Sequence, residues 1–142
     1  MQADLQKAKT ILAAGEYSCV VCKGETLHTA TGLGVKPLIA FLNSGTDLRG
    51  FSAADKIVGK AAALLYVLLG VRAVYAQVLS RAGQETLEKH GIEVSCGEIV
   101  PEIRNRADTG LCPLEESVQN ISDPQEGLAS IRRRIAQVMA AK

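Results

Sequence analysis

Ser52-Ala-Ala-Asp-Lys-Ile-Val-Gly-Lys-Ala-Ala-Ala-Leu-Leu-Tyr-Val-Leu-Leu-Gly70 is the stretch on which the reading of this chain turns. By spacing alone it is one long helix: Ser52 offers an N-cap, Asp55 stands three positions on in a weaker form of the capping box, and Gly70 ends the run. Its second half is apolar on every side, as in a buried helix, yet its first turns carry Asp55, Lys56 and Lys60. Burying an unpaired ammonium is costly, and a solvated face would be expected to continue down the helix. Lys56 and Lys60 stand four apart and would share one helical face, with Ala63 and Val67 next on the stripe. Two readings follow. The helix start borders a cleft or a subunit contact, where free amides and two lysines favour an anion such as phosphate or carboxylate. Alternatively, the charges form structural ion pairs with the Arg104-Asn-Arg106 segment or with Glu115.

Upstream, Leu5, Ala8, Ile11 and Leu12 recur at helical spacing until Gly15. Two strands, 17–22 and 25–29, flank Lys23-Gly24 and predict an antiparallel hairpin. Residues 31–37 read as a loop, and 38–42 as a short helix with Pro37 in its first turn and a close near Ser44-Gly45. Downstream, 72–79 reads as a strand, 81–90 as a helix stopped by Gly91, and 92–99 as another strand. Helices alternating with short strands are the pattern of crossover units, so this half predicts parallel strands covered by helices, an α/β class. The polar stretch 101–111 is a long loop of the kind that is often functional. Cys112-Pro113 restarts a helix, and Asp123-Pro124 caps the last one, which runs to the end of the chain. Arg132, Arg133 and Arg134 are adjacent on that helix, fan around its axis and form no single patch.

At 142 residues the chain is read as a single domain, 1–142. With 47% hydrophobic and 22% charged residues and a formal charge of +1, the composition is that of an ordinary globular protein and offers no field for nucleic acid or an acidic membrane. The opening 15 residues mix Asp4, Lys7 and Lys9 with apolar residues and have no signal-type core. The longest apolar run, 61–71, is shorter than the roughly 20 residues that cross a bilayer. A cytoplasmic location is the expectation.

Cys19 and Cys22 lie on a predicted strand, where residues three apart point to opposite faces, so their CxxC spacing lacks the turn of a zinc knuckle. They are expected as small core residues, without disulfides. Cys112 falls at an N-cap, where the helix field favours a thiolate, but Glu115 and Glu116 oppose this and neither His28 nor His90 can be placed beside it. Its role is read as a cap or ligand contact before a nucleophile. Asn105, Arg106, Thr109 and Gly110 offer amide, guanidinium, hydroxyl and open backbone within six residues, and Arg106 could clamp a carboxylate or phosphate; an ordinary surface loop would look the same. His28 is expected to face solvent and His90 to end its helix.

The segments Gly50-Phe-Ser-Ala-Ala-Asp-Lys-Ile-Val-Gly-Lys-Ala-Ala-Ala63, Val74-Tyr-Ala-Gln-Val-Leu-Ser80 and Asn105-Arg-Ala-Asp-Thr-Gly-Leu-Cys-Pro-Leu-Glu-Glu-Ser-Val118 resemble a small prokaryotic family, a domain of unknown function with the cytidine-deaminase-like fold. The resemblance spans nearly the whole chain and implies a three-layer α/β/α sandwich with a mixed sheet. Active deaminases of that fold place His-Ala-Glu or Cys-Ala-Glu at the start of the central helix and Pro-Cys-x-x-Cys at the start of the next, where zinc activates water and the Glu shuttles protons. Here the first site reads Ser52-Ala-Ala-Asp-Lys56 and the second Leu79-Ser-Arg-Ala-Gly83, and no register restores three ligands.

The expectation is therefore a zinc-less relative, with no metal and no cofactor, whose cleft at the N-terminus of the central helix takes a small anionic or nucleotide-like molecule. Lys56, Lys60, Ser80, Asn105, Arg106, Thr109 and Cys112 would line it. Catalysis stays open: a lysine of lowered pKa could serve as base or Schiff-base former, which leaves Lys60 and Cys112 as the candidates for a non-metal enzyme. The alternative class is a subunit or interaction module, a homo-oligomer, using the apolar stripe Leu128, Ile131, Ile135 and Val138 of the last helix, although core packing explains that stripe first.

Overall fold

The 52–70 stretch is two elements, not one helix. The computed structural model describes residues 2–32 and 34–140. In it Ser52–Val58 is a strand (β3) and Lys60–Leu69 a helix (α3), separated by an extended Gly59 with φ −105° and ψ −167°. Before them come α1 (Gln2–Ala13), β1 (Cys19–Lys23), β2 (Thr26–Ala30) and α2 (Lys36–Ser44); after them β4 (Ala73–Ser80), α4 (Arg81–Lys89), β5 (Glu93–Val100), α5 (Pro113–Ser117) and α6 (Pro124–Ala140). Expectations that touch residue 1, Leu33 in the 31–37 loop, and the 141–142 end of the last helix lie outside the described residues.

The five strands form one mixed sheet in the order β2-β1-β3-β4-β5. The predicted hairpin pairs β1 with β2, and β1 also runs antiparallel to β3, while β3, β4 and β5 are parallel and joined through α3 and α4. β3 is thus the middle strand, hydrogen-bonded on both edges and covered on both faces from Ser52 to Asp55, with Lys56 and Ile57 exposed beyond. That placement overrides the helical preference of its alanines, because a strand buried on both sides reads as an apolar run rather than an alternation. Ala53 and Ala54 are fully buried on opposite faces. Ser52, expected as an N-cap, lies inside the strand, and its hydroxyl has no hydrogen-bond partner among the described residues.

One face of the sheet is covered by α1, whose Ala8 and Leu12 pack against Val20, Cys22 and Ala54. The other carries the larger core, where Leu38 of α2, Leu64 and Leu65 of α3, Leu87 of α4 and Ile131 of α6 meet Cys19, Val21, Ala53, Val74 and Ala76. This is the expected three-layer α/β/α sandwich, with a one-helix layer opposed to a multi-helix one. Cys19 and Cys22 do point to opposite faces, one into each core. Leu128 and Ile131 of the last helix are buried and Ile135 packs on the core, whereas Val138 lies beyond it, 41% exposed. His28 does not face solvent freely: its ring stands 5.9 Å from both Phe41 and Phe51, because β2 turns this side chain toward α2. Among the described residues, no helix is long and apolar enough to cross a membrane.

Candidate functional site

Antiparallel pairing of β1 with β3 sets Cys19 opposite Asp55, so both side chains project to the same face of the sheet, beneath α3. There Tyr66, fully buried in α3, donates its hydroxyl hydrogen to Asp55 Oδ2 at 2.6 Å and lies 3.3 Å from Cys19 Sγ. Asp55 Oδ1 accepts the longer 3.3 Å amide bond of Ile57. Burial pushes the Asp55 carboxyl up to about 7, against the opposing pull of the Tyr66 hydroxyl and the Ile57 and Lys56 amides. Burial and the neighbouring Asp55 charge likewise raise Tyr66 and Cys19, so this thiol is a structural one rather than a reactive one.

The start of α3 is closed by another carboxylate. Glu115 of α5 accepts the amide of Lys60 at 2.7 Å through Oε1 and that of Ala61 at 2.8 Å through Oε2. It thereby takes the role that the Gly59 N-cap, having no side chain, cannot fill. Its burial raises the carboxyl and the two amides oppose that rise. A side chain on Gly59 would run into this carboxyl group.

Between β3, the start of α3 and the 101–112 loop lies a cleft of about 470 Å³. Asp55, Lys56, Arg106, Cys112 and Glu115 line it, together with apolar side chains such as Ile57 and Leu114. The loop is folded back on itself through a bridge between Arg104 and Leu111 and the amide of Cys112 bonded to the Ile103 carbonyl. Arg104 pairs with Glu102 and Asp108 and stiffens it. Arg106 is carried on this strap toward the cleft.

Three of the seven expected ligand-binding residues, Lys56, Arg106 and Cys112, therefore meet in one cleft, and four do not. Lys60 shares no helical face with Lys56, since the two stand on different elements; its Nζ donates to the Gln119 carbonyl at 3.2 Å, and it borders a separate hollow of about 170 Å³ beside α4. Ser80 is buried as the N-cap of α4, accepting the Gly83 amide at 2.9 Å. Asn105 and Thr109 bond to each other twice and shape the strap. Cys112 does sit at the N-cap of α5, but its side chain makes no capping bond. His28 lies between two phenylalanines and His90 closes α4 with its Nδ1 on the Thr86 carbonyl, so neither lines the cleft beside Cys112. The residues that spacing did not single out are Tyr66, Cys19 and, as a cap, Glu115. The available signal was Asp55 itself, a carboxylate among alanines in a segment that could equally be a strand.

The turns that open the two crossover helices read Gly59-Lys-Ala-Ala62 at α3 and Ser80-Arg-Ala-Gly83 at α4, with no His or Cys in either. The two turns approach backbone to backbone, since a Cβ on Gly83 would stand 3.1 Å from the Gly59 carbonyl. The one carboxylate at this place, Glu115, already holds two amides. Zinc does not fit this donor set, and among the described residues no group of three His, Cys, Asp or Glu side chains is arranged to hold a metal.

A family model described as a domain of unknown function, DUF1893, matches residues 7–135. A solved DUF1893 family protein from Thermotoga maritima is similar at 25% identity with a TM-score of 0.84, over 96% of this chain and 91% of that one. Partial overlaps extend to two deaminases. A diaminohydroxyphosphoribosylaminopyrimidine deaminase/5-amino-6-(5-phosphoribosylamino)uracil reductase from Thermotoga maritima has 20% identity and a TM-score of 0.45, over 68% of this chain and 36% of that one. The dCMP deaminase of cyanophage S-TIM5 has 16% identity and a TM-score of 0.43, over 67% of this chain and 94% of that one. No curated protein matches the chain.

Proposed function

Because the chain belongs to the DUF1893 family, a domain of unknown function, we propose its role from the cleft itself: it binds a small anionic or nucleotide-like molecule between β3, the start of α3 and the 101–112 strap. The observation that supports this is the pairing of Lys56 and Arg106 on one cleft from two separate elements. Neither makes an ion pair or side-chain hydrogen bond among the described residues, while Glu115, Asp55 and Arg104 are all engaged. Two uncommitted cations over a largely apolar wall suit an acid group on an apolar or planar body.

A thermal-shift panel of nucleotides, sugar phosphates and small organic acids tests the reading. At least one member is expected to raise the Tm of the wild-type protein, with Lys56→Ala and Arg106→Ala each weakening its binding about tenfold through loss of one charge-assisted contact. Lys60→Ala is expected to leave binding unchanged, because its amine is held at the Gln119 carbonyl outside the cleft. A panel without a hit, or a hit that survives both cleft substitutions, overturns the proposal.

A further inference from the structure

The cleft brings a buried carboxyl group into the same space as two cations, and the hydrogen bonds around that carboxyl have a direction. Tyr66 has a single hydroxyl hydrogen; given to Asp55 Oδ2 at 2.6 Å, it leaves the phenolic oxygen to accept from the Cys19 thiol at 3.3 Å. The chain Cys19 to Tyr66 to Asp55 thus ends on Oδ2, and any proton that Asp55 carries belongs on Oδ1, where the Ile57 amide is a long 3.3 Å away. The titratable and charged groups about Asp55 are Cys19 from β1, Tyr66 from α3, Lys56 from β3 itself, Arg106 and Cys112 from the strap, and Glu115 from α5. Glu115 is committed to the Lys60 and Ala61 amides. None of these groups forms an ion pair with Asp55 among the described residues.

An anion drawn in by Lys56 and Arg106 would therefore meet a second negative charge, unless Asp55 is in its acid form. Resting on the cleft reading above, we propose that Asp55 contacts the ligand as a neutral acid, donating a hydrogen bond from Oδ1 to a small organic oxyanion, so that the cleft takes up the anion together with a proton. Asp55 is then both a contact and a filter. It favours oxygens that accept a hydrogen bond and disfavours positively charged or donor-only groups at the cleft floor. Burial supplies the acid form near neutrality, with the carboxyl at about 7.

The probe is naphthalene sulfonate, an oxyanion whose charge does not change across the range, titrated by calorimetry from about pH 6 to about pH 8.5. Proton linkage requires wild-type affinity to be highest at the acid end and to fall by up to about tenfold per pH unit above the Asp55 value. Heats measured in buffers of different ionisation enthalpy are expected to show proton uptake at about pH 8. Asp55→Asn, which keeps a donor without a titrating proton, is expected to bind with a flat pH profile. Because that variant could fold poorly, the proton uptake of the wild-type protein decides the matter by itself. Binding that is lost in Lys56→Ala but shows neither uptake nor pH dependence overturns this inference and leaves the cleft reading standing. Binding unaffected by Lys56→Ala, or none at any pH, overturns both.

Discussion

Replacing Glu115 with alanine is expected to lower the stability of the folded protein by about 2–3 kcal/mol, a fall in Tm of roughly 6–10 °C for a domain of this size. The carboxylate meets the first two amides of α3, at 2.7 and 2.8 Å, and it reaches them from α5, 55 and 54 residues away along the chain. Hydrogen bonds to a charged acceptor are stronger than neutral ones, and an ordinary N-cap deletion alone costs about 1 kcal/mol. The same group fixes α5 against the central helix, so its loss also loosens one wall of the cleft. Urea unfolding of the two proteins reads the difference directly, provided the slope with denaturant is unchanged. The variant has a second signature. With the carboxylate gone, the amides of Lys60 and Ala61 form an open anion site at a helix start, so added sulfate or phosphate should restore more stability to Glu115→Ala than to the wild type. A loss below about 0.5 kcal/mol, or no differential response to anions, would show that water replaces Glu115 without penalty.

The course of the chain was legible wherever a turn residue separated two periodic runs. Lys23-Gly24 placed the hairpin, Gly91 ended α4, Cys112-Pro113 and Asp123-Pro124 started the last two helices, and the alternation after residue 70 predicted the parallel strands. At 52–70 local propensity and fold disagree: alanine and lysine favour a helix, and only pairing with β1 and β4 makes a strand of Ser52–Val58. Such pairing partners are distant in sequence, and propensity carries no information about them. Gly59 is the punctuation between the two elements, and it carries little weight locally because an isolated glycine inside a helical pattern is tolerated.

The break at Gly59 also separates the two lysines. Four-residue spacing put Lys56 and Lys60 side by side on a helix; on β3 and at the head of α3 they diverge, one to the cleft and the other to the Gln119 carbonyl. Arg106 and Cys112 reach the cleft because the strap is local, whereas Asn105 and Thr109 bond to each other within it, and a loop that bonds to itself uses the same residue types as one that binds. The ion pairs expected as the structural alternative do not form among the described residues: Glu115 does stand at the start of α3, but it accepts the backbone amides of Lys60 and Ala61, while the Lys60 amine goes to the Gln119 carbonyl. Asp55 and Tyr66 stand 11 positions apart and on one continuous helix would have had no reason to meet, so the hydrogen bond between them followed only from the corrected strand.

Stability against pH is expected to carry the mark of the buried carboxyl group. Asp55 titrates near the ordinary value of 3.8 when unfolded and at about 7 in the folded protein. Because the folded state holds the proton more tightly, unfolding releases one between those two values. The contribution of Asp55 is therefore most favourable below about pH 4, declines as pH rises toward about 7, and is constant above it. Converted at 1.36 kcal/mol per pH unit, the whole change is of the order of 4 kcal/mol. Glu115, also raised by burial, slopes the same way, while Asp47, held at about 2 by Arg49, slopes the opposite way at acid pH. The difference between Asp55→Asn and wild type cancels those shared contributions. Measured by urea unfolding across this range, that difference should move in favour of the variant by roughly 3–4 kcal/mol between about pH 4 and about pH 7, then level off. A difference that stays constant with pH would mean that Asp55 remains charged throughout, stabilised in that form by its neighbours. A group that makes the fold less stable at neutral pH is maintained by packing elsewhere, and here it stands at the floor of the cleft where an incoming anion would favour the protonated form. The same titration thus measures how much stability the charged form of Asp55 costs and how strongly an oxyanion can be coupled to the proton.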